Sequence, residues 1–364
     1  MSATPPHHGV SIGGRAVSGD EPAFLVGEIG VNHNGDLELA RRLIDAAAGA
    51  GLDAVKFQLF EAEALVLRGT PKTGYQLETT GAAEDQLEML RALELGAEEL
   101  DALKRHATGL GLAFICTPYS PSSARALAEI GVAAIKIGSA DLSDALLLDE
   151  AAATGLPIIL STGLATLAEV GGAVERLAGT GACEIALLHC VSKYPADPCD
   201  LNLRYIHALE EAFMRPVGFS DHTLGTDAAP LAVAAGACII EKHFTLDRGM
   251  EGPDHRSSLD PAEMAELVRR VRAAELMLGR PVKELTDQEA ANAALMKKSL
   301  VFATDLPAGT LLEAAHLAAK RPSGGVPPWE LEQYLGRVLK VDVSRDQQLS
   351  AGLLEGRTTE ESSP

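Results

Sequence analysis

Lys56 and Lys136 each interrupt an apolar run, AVKFQLF (54–60) and AIKIGS (134–139). Lysine is seldom buried without a partner, because an unpaired ammonium gives up its hydration. Either one alone could snorkel to a rim or pair with a structural carboxylate. Two of them, with hydroxyls at Thr117, Ser161 and Ser220, form a set suited to a dianion such as phosphate. Lysine supplies charge and the hydroxyls donate directional hydrogen bonds. Gln58, two residues beyond Lys56, and Ser139, closing the Lys136 run, add polar groups to the same set.

His222 and His243 form a second constellation. A lone histidine at the end of an apolar run is commonly a hydrogen-bonded core residue. Two of them on neighbouring strands, ~4.8 Å apart, beside carboxylates, favour a shared ion. Imidazoles without a thiolate suit an octahedral divalent metal, Mn²⁺ first, with Mg²⁺ or Co²⁺ as alternatives, its other positions filled by water or substrate oxygen. Cys116 and Cys190 read as small core filler and are left out of the ligand set. Glu28, Glu241 and Asp254 are the carboxylates available for acid–base work. Glu241 could equally be a structural partner of a lysine, and Asp254, in the Gly-Pro loop EGPDHRSS, could serve an Asx-turn.

These residues need elements that bring them to one place. From 23 to 278 the chain alternates apolar runs with amphipathic stretches. The runs are AFLVGEIG (23–30), AVKFQLF, AFICTP (113–118), AIKIGS, PIILSTG (157–163), IALLHC (185–190), PVGFSD (216–221) and CIIEKHF (238–244). Between them lie helical patterns such as LELARRLIDAAAGAGL, with apolar residues at i, i+3 and i+4 and glycine at the end. Eight strand-plus-helix units of this total length predict a (β/α)8 barrel, whose catalytic groups sit at the C-terminal strand ends. An open doubly wound sheet would carry GxGxxG after its first strand, and GEIGVNHNG lacks that form. At the polar ends stand Glu28, then Lys56 with Gln58, Thr117, Lys136 with Ser139, Ser161 with Thr162, His189, Ser220 with His222, and Glu241 with His243. Polar groups from all eight strands are expected at one mouth.

Residues 1–22 predict a hairpin around Gly-Gly laid against the barrel floor. The barrel is assigned to 23–278, a linker or loose helix to 279–297, a small turn-rich second domain to 298–355 and a disordered tail to 356–364. With 364 residues, 46% hydrophobic and 23% charged, the composition is that of a folded protein. The excess of 51 acidic over 31 basic residues gives a formal charge of −20, which repels nucleic acid and anionic membranes and requires any bound anion to find a local basic pocket. No apolar run is long enough to span a membrane. Five cysteines without CxxC spacing read as reduced thiols of a cytoplasmic protein.

Taken in order, GEIGVNHNG, VKFQ, CTPYS, IKIGS, LSTG, HCVSKYPAD, GFSDHT, EKHFTLD, GPDH and KRPSGG make the chain resemble the sialic acid synthases, the phosphoenolpyruvate-using enzymes that make nonulosonic acids. The C-terminal region resembles the antifreeze-like (SAF, β-clip) domain of that family. The resemblance implies metal-dependent condensation of phosphoenolpyruvate, an N-acylated aldose and water to a 2-keto-3-deoxy acid and phosphate. It places phosphoenolpyruvate on Lys56, Gln58, Thr117, Lys136, Ser139, Ser161 and Ser220, and the metal on His222 and His243. Glu28 would handle water or protons, and Tyr194 and Asp254 would face the sugar. Arg321 would reach in from the second domain of the other subunit of a domain-swapped homodimer.

N-acetylmannosamine is the expected acceptor, giving N-acetylneuraminate. The alternative is a 2,4-diacetamido-2,4,6-trideoxyhexose of the legionaminate or pseudaminate type. Cys199 stands where family members often have an acidic residue, near the expected sugar site. The more distant rivals are a metal-dependent pyruvate aldolase, which needs no phosphate clamp, and a sugar-binding protein that has lost activity.

Overall fold

The structure, a computed structural model, describes residues 9–81, 83–182 and 184–355. The first eight residues and the expected tail lie outside that set. The chain divides into two compact units, one ending at Gly279 and the other starting at Arg280.

In the first unit, β1 (Val10–Ile12) and β2 (Arg15–Val17) pair antiparallel across a two-residue turn. Gly13 and Gly14 there have φ of +60° and +82°. That left-handed turn matches the twist of the strands and is accessible to glycine without steric cost. Eight parallel strands follow: β3 (Phe24–Gly30), β4 (Ala54–Leu59), β5 (Ala113–Pro118), β6 (Ala134–Ile137), β7 (Ile158–Ser161), β8 (Ile185–Cys190), β9 (Val217–Asp221) and β10 (Ile239–His243). Each pairs with the next, and β10 returns to pair with β3, which closes the barrel.

Two apolar clusters follow from the period of two along each strand. One set, including Leu25, Val55, Phe57, Phe114, Ile135, Leu187 and Phe219, packs outward against the helices. The other, including Phe24, Val26, Ala54, Ile115, Ala134, Ile159, Ala186, Leu188 and Ile239, fills the barrel interior, and Val10, Ile12 and Val17 of the hairpin join it. The hairpin thus stoppers the N-terminal end of the barrel. An ion-pair cluster secures it: Arg15 pairs with Asp53, and Arg272 of the helix Pro261–Leu278 reaches Asp53 at 3.0 Å and the carbonyl of Ala23 at 2.9 Å.

The helices carry local start signals. Asp36 caps the helix Leu37–Gly49 through the amides of Glu38 and Leu39, and Leu39, Ala40, Leu43, Ile44 and Ala47 form its buried face. Asp260 and Glu263 form a capping box on Pro261–Leu278.

In the second unit, β11 (Ser299–Phe302) and β12 (Leu317–Lys320) pair antiparallel beside a small core that includes Leu300, Phe302, Leu312, Val326, Leu339 and Leu349. Before them, in the stretch read as linker or loose helix, Asp287–Met296 is a helix capped by Thr286 and Glu289.

Candidate active site

The strand parity that builds the lower interior also builds the site. Along β3 the inward residues are Phe24, Val26 and Glu28. The same step leads from Ala54 to Lys56 and Gln58, from Ile115 to Thr117, from Ala134 to Lys136, from Ile159 to Ser161 and from Ile239 to Glu241 and His243. Each interior position is apolar near the floor and turns polar at the C-terminal end. The polar groups line one cavity of about 220 Å³, which contains Glu28, Lys56, Gln58, Thr117, Lys136, Ser139, Ser161, Tyr194, Ser220, His222, Glu241, His243 and Asp254. Arg321 is exposed in the second unit.

The floor of the cavity is a continuous chain of polar contacts set by register. Glu28 and Lys56 are partners across β3 and β4, and their charged atoms stand 2.7 Å apart. Lys56 Nζ is 3.8 Å from Glu241 and 3.5 Å from Thr117 Oγ1. Glu241 lies 4.0 Å from Lys136, whose Nζ donates to Ser161 Oγ at 2.7 Å. Ser220, the register partner of Glu241, donates to its carboxylate at 2.9 Å. On the other side, Gln58 donates to Glu28 at 2.9 Å and accepts from the Tyr119 hydroxyl at 3.2 Å.

Two carboxylates and two lysines are therefore buried in alternation, each charge compensated by its neighbours. Burial opposes the charge of Glu241, but Lys136 and Lys56 outweigh it and hold the carboxyl down at about 2. Burial pushes Glu28 up despite Lys56, and lowers Lys136 despite Glu241. Glu241 is thus the shared counterion of both lysines. Burial, followed by the nearby Glu28, pushes Asp254 up to about 7.

His222 and His243 stand on the adjacent strand ends with ring centroids 5.5 Å apart. On the back of the same two strands, Asp221 and Lys242 are register partners and a buried ion pair at 2.9 Å, which pins the histidine-bearing strands together. His222 Nδ1 donates to the Val191 carbonyl at 2.9 Å, so in the neutral ring Nε2 is the nitrogen left with a lone pair. His243 Nδ1 is buried without a hydrogen-bond partner, 3.8 Å from an Asp254 oxygen. Burial and the neighbouring His222 keep His243 well below its ordinary pKa, in the neutral form that binds metals. Among the described residues, no group of three or more histidine, cysteine, aspartate or glutamate side chains could hold a metal ion. The pair fits an ion that takes two protein nitrogens and completes its shell with other oxygens. Tyr194 packs over this corner, its ring 4.1 Å from His222 and 5.0 Å from Tyr75.

The NHNG loop after β3 ties the site together. Asn32 donates to the Phe244 carbonyl at 2.9 Å and to Ser258 Oγ at 2.8 Å, and Ser258 donates to the Asp254 carbonyl at 2.7 Å. His255 is fully buried, bonded to Thr245 Oγ1 at 2.6 Å. Gly35 has φ of +71° and lies so close to the Ala92 carbonyl that a Cβ would sit at 2.5 Å. Backbone proximity demands glycine at that position.

Three sequence expectations change. His189 does not join the mouth: it has outward parity, hydrogen-bonds the Leu201 carbonyl at 2.6 Å and packs on Tyr205 and Phe219. Cys190 takes the inward position of β8 instead and lines the cavity, its sulfur 3.7 Å from His222 Nδ1, whereas Cys116 is core filler as expected. The two-residue step from Leu188 identifies Cys190 rather than His189 as the inward residue. Cys199 is exposed and outside the cavity lining. Sequence reasoning also missed Ser192, bonded to Ser139 at 3.1 Å, and Tyr75, Gln76 and Tyr119. Those residues lie on loops and on the short helix Gly74–Thr80, where strand parity gives no signal.

Comparison with known proteins agrees with this architecture. Residues 43–283 match the NeuB family and residues 297–355 match the SAF domain. The chain is 40% identical over 340 residues to the N,N'-diacetyllegionaminic acid synthase of Legionella pneumophila, covering 91% of this chain and 96% of that protein. It is also 40% identical to the enzyme of the same name from Campylobacter jejuni, covering 89% and 98%. The solved N-acetylneuraminic acid synthetase of Leptospira borgpetersenii, in complex with citrate, superimposes with a TM-score of 0.70 at 35% identity, covering 79% of this chain and 95% of that one. Over both of its units, this chain belongs to the NeuB family of sialic and legionaminic acid synthases.

Proposed function

We propose that this protein condenses phosphoenolpyruvate with 2,4-diacetamido-2,4,6-trideoxymannose and water, giving N,N'-diacetyllegionaminate and phosphate. The observation that carries the reaction is the buried floor joining Lys56, Lys136 and three hydroxyls beside a histidine pair in one cavity. The acceptor rests on the 40% identity to two N,N'-diacetyllegionaminic acid synthases. N-acetylmannosamine is the second reading, favoured by the likeness to the Leptospira synthetase.

Lys56 and Lys136, with Thr117, Ser161 and Ser220, would hold the carboxylate and phosphate of phosphoenolpyruvate, Gln58 and Ser139 bordering them. His222 and His243 would hold a divalent ion, Mn²⁺ first. When bound, that ion supplies Lewis-acid polarisation of the sugar aldehyde. Tyr194 and Asp254 would face the sugar and orient its aldehyde carbon over C3 of phosphoenolpyruvate. The new C–C bond forms there, positive charge develops at C2, water adds at C2, and the C–O bond to phosphate breaks. Glu28, held between Lys56 and Gln58, would orient that water. Glu241 keeps both lysines charged and aimed. The reading includes a cytoplasmic, domain-swapped homodimer in which Arg321 of one subunit completes the sugar site of the other.

The test is phosphate release by the purified protein with phosphoenolpyruvate and Mn²⁺, with each sugar in turn, repeated after EDTA. Sugar-dependent, EDTA-sensitive release is expected, with the diacetamido sugar the better acceptor. Release with neither sugar overturns the reading. His222→Ala and His243→Ala should each lose activity and bound Mn²⁺ while keeping the native circular dichroism spectrum; full metal stoichiometry in both variants would remove the histidines from the ligand set.

A further inference from the structure

Beside the charged floor the cavity has a wall of a different kind. Val31, Phe60, Leu65, Met89, Leu90 and Leu93 form an apolar cluster of their own, separate from both barrel cores, and all six line the cavity. They come from segments beyond the strand ends: the loop after β3, the segment after β4, and the helix Gln86–Arg91 with the residues that follow it. The wall is braced. Asp85 and Glu88 cap that helix, Arg91 Nε donates to Glu63 at 2.9 Å to join two of the segments, and Phe60 meets Tyr119 edge to face at 5.9 Å.

The only side-chain hydrogen-bonding atom of the six is the weakly accepting Met89 sulfur, already taken by the Thr80 hydroxyl at 3.7 Å, and two polar groups bordering the wall are engaged as well. The Tyr119 hydroxyl donates to Gln58, and Gln76 Oε1 accepts from the Thr73 amide at 2.9 Å and from Gln86 at 3.3 Å. A hydroxyl pressed against such a surface leaves water without gaining a partner, whereas a methyl group gains from burial. The cavity is otherwise lined largely by polar groups, so an apolar patch at its outer rim suits an apolar part of a ligand.

We infer that this wall receives C6 of the acceptor and selects a 6-deoxy sugar, with Met89 and Leu90 as specificity-determining residues. The inference rests on the synthase reading above, in which the aldehyde carbon lies over the floor and the sugar runs outward, so that its far end meets the rim. N-acetylmannosamine carries a hydroxymethyl group there and the trideoxy sugar a methyl. An apolar pocket discriminates against an added hydroxyl by up to about 100-fold, so the preference should be marked without being absolute.

The experiment compares two sugars that differ only at C6: 2,4-diacetamido-2,4,6-trideoxymannose and its 6-hydroxy counterpart. The wild type should favour the 6-deoxy sugar by about tenfold or more in kcat/KM. Met89→Gln, close in shape but polar, should reduce that ratio several-fold through the KM for sugar, leaving the KM for phosphoenolpyruvate in place. Met89→Leu should retain it. Leu90→Gln, at a half-buried position, serves if Met89→Gln does not fold. Equal use of both sugars by the wild type, or a preference unmoved in the folded glutamine variants, overturns the inference and leaves the synthase reading intact. Absence of phosphate release with every sugar overturns the synthase reading instead.

Discussion

Lys56 and Lys136 illustrate what a buried charge requires. Each is almost wholly buried, and each stands within 4.0 Å of Glu241. Without that carboxylate the two ammonium groups would repel each other in a medium of low dielectric. A different cost falls on Asp141, in the loop after β6, where a buried oxygen has no hydrogen-bond partner. Burial first, then Asp144, pushes its carboxyl up to about 6 from an ordinary 3.8. A raised carboxylate binds its proton more tightly in the folded state, so its penalty is absent below about pH 4, grows between pH 4 and 6, and is complete above. Asp141→Asn should therefore match the wild type in stability near pH 4 and exceed it at pH 7. Denaturation midpoints across that range test this, and parallel curves for the two proteins would show that the carboxyl carries no such penalty.

At the scale of elements, the hairpin β1–β2 does the work of a floor. Ile12 is fully buried among the lower ends of the strands, far in sequence from most of its neighbours. Ile12→Ala should cost about 2–5 kcal/mol in barrel stability, from lost burial plus the cavity left behind. Circular dichroism is the suitable probe, because the only tryptophan, Trp329, lies in the second unit and would report on that unit. A loss below about 0.5 kcal/mol would mean the hairpin is dispensable packing. The polar ends of β9 and β10 are held by a different device, the Asp221–Lys242 pair on their outer face. Its two members sit next to the histidines in sequence, yet strand parity sends them to the opposite side of the sheet.

For the molecule as a whole, a net charge of −20 opposes the approach of any anion at long range, the proposed phosphoenolpyruvate included. Screening shortens that repulsion to about 8 Å at physiological salt, and the lysines of the floor act within the cavity. The second unit enters the function through the proposed role of Arg321. Arg321→Ala should raise the KM for the sugar about tenfold while the KM for phosphoenolpyruvate changes little; equal effects on both substrates would argue against contact with the sugar.

The barrel, the polar strand ends and the ordered motifs were legible in the sequence because apolar alternation and strand-end chemistry are local patterns. Thirteen positions named from them, from Glu28 to Asp254, line one cavity. The error at His189 and Cys190 arose where both residues of a polar strand end were plausible and only parity separates them. Tertiary structure alone decided three further matters. It made Glu241 the common partner of both lysines, because register sets which strand ends face each other. It turned the NHNG loop into a tie between segments more than two hundred residues apart. It also gathered Val31, Phe60 and Met89 into an apolar wall, since loops beyond strand ends follow no period that a sequence displays.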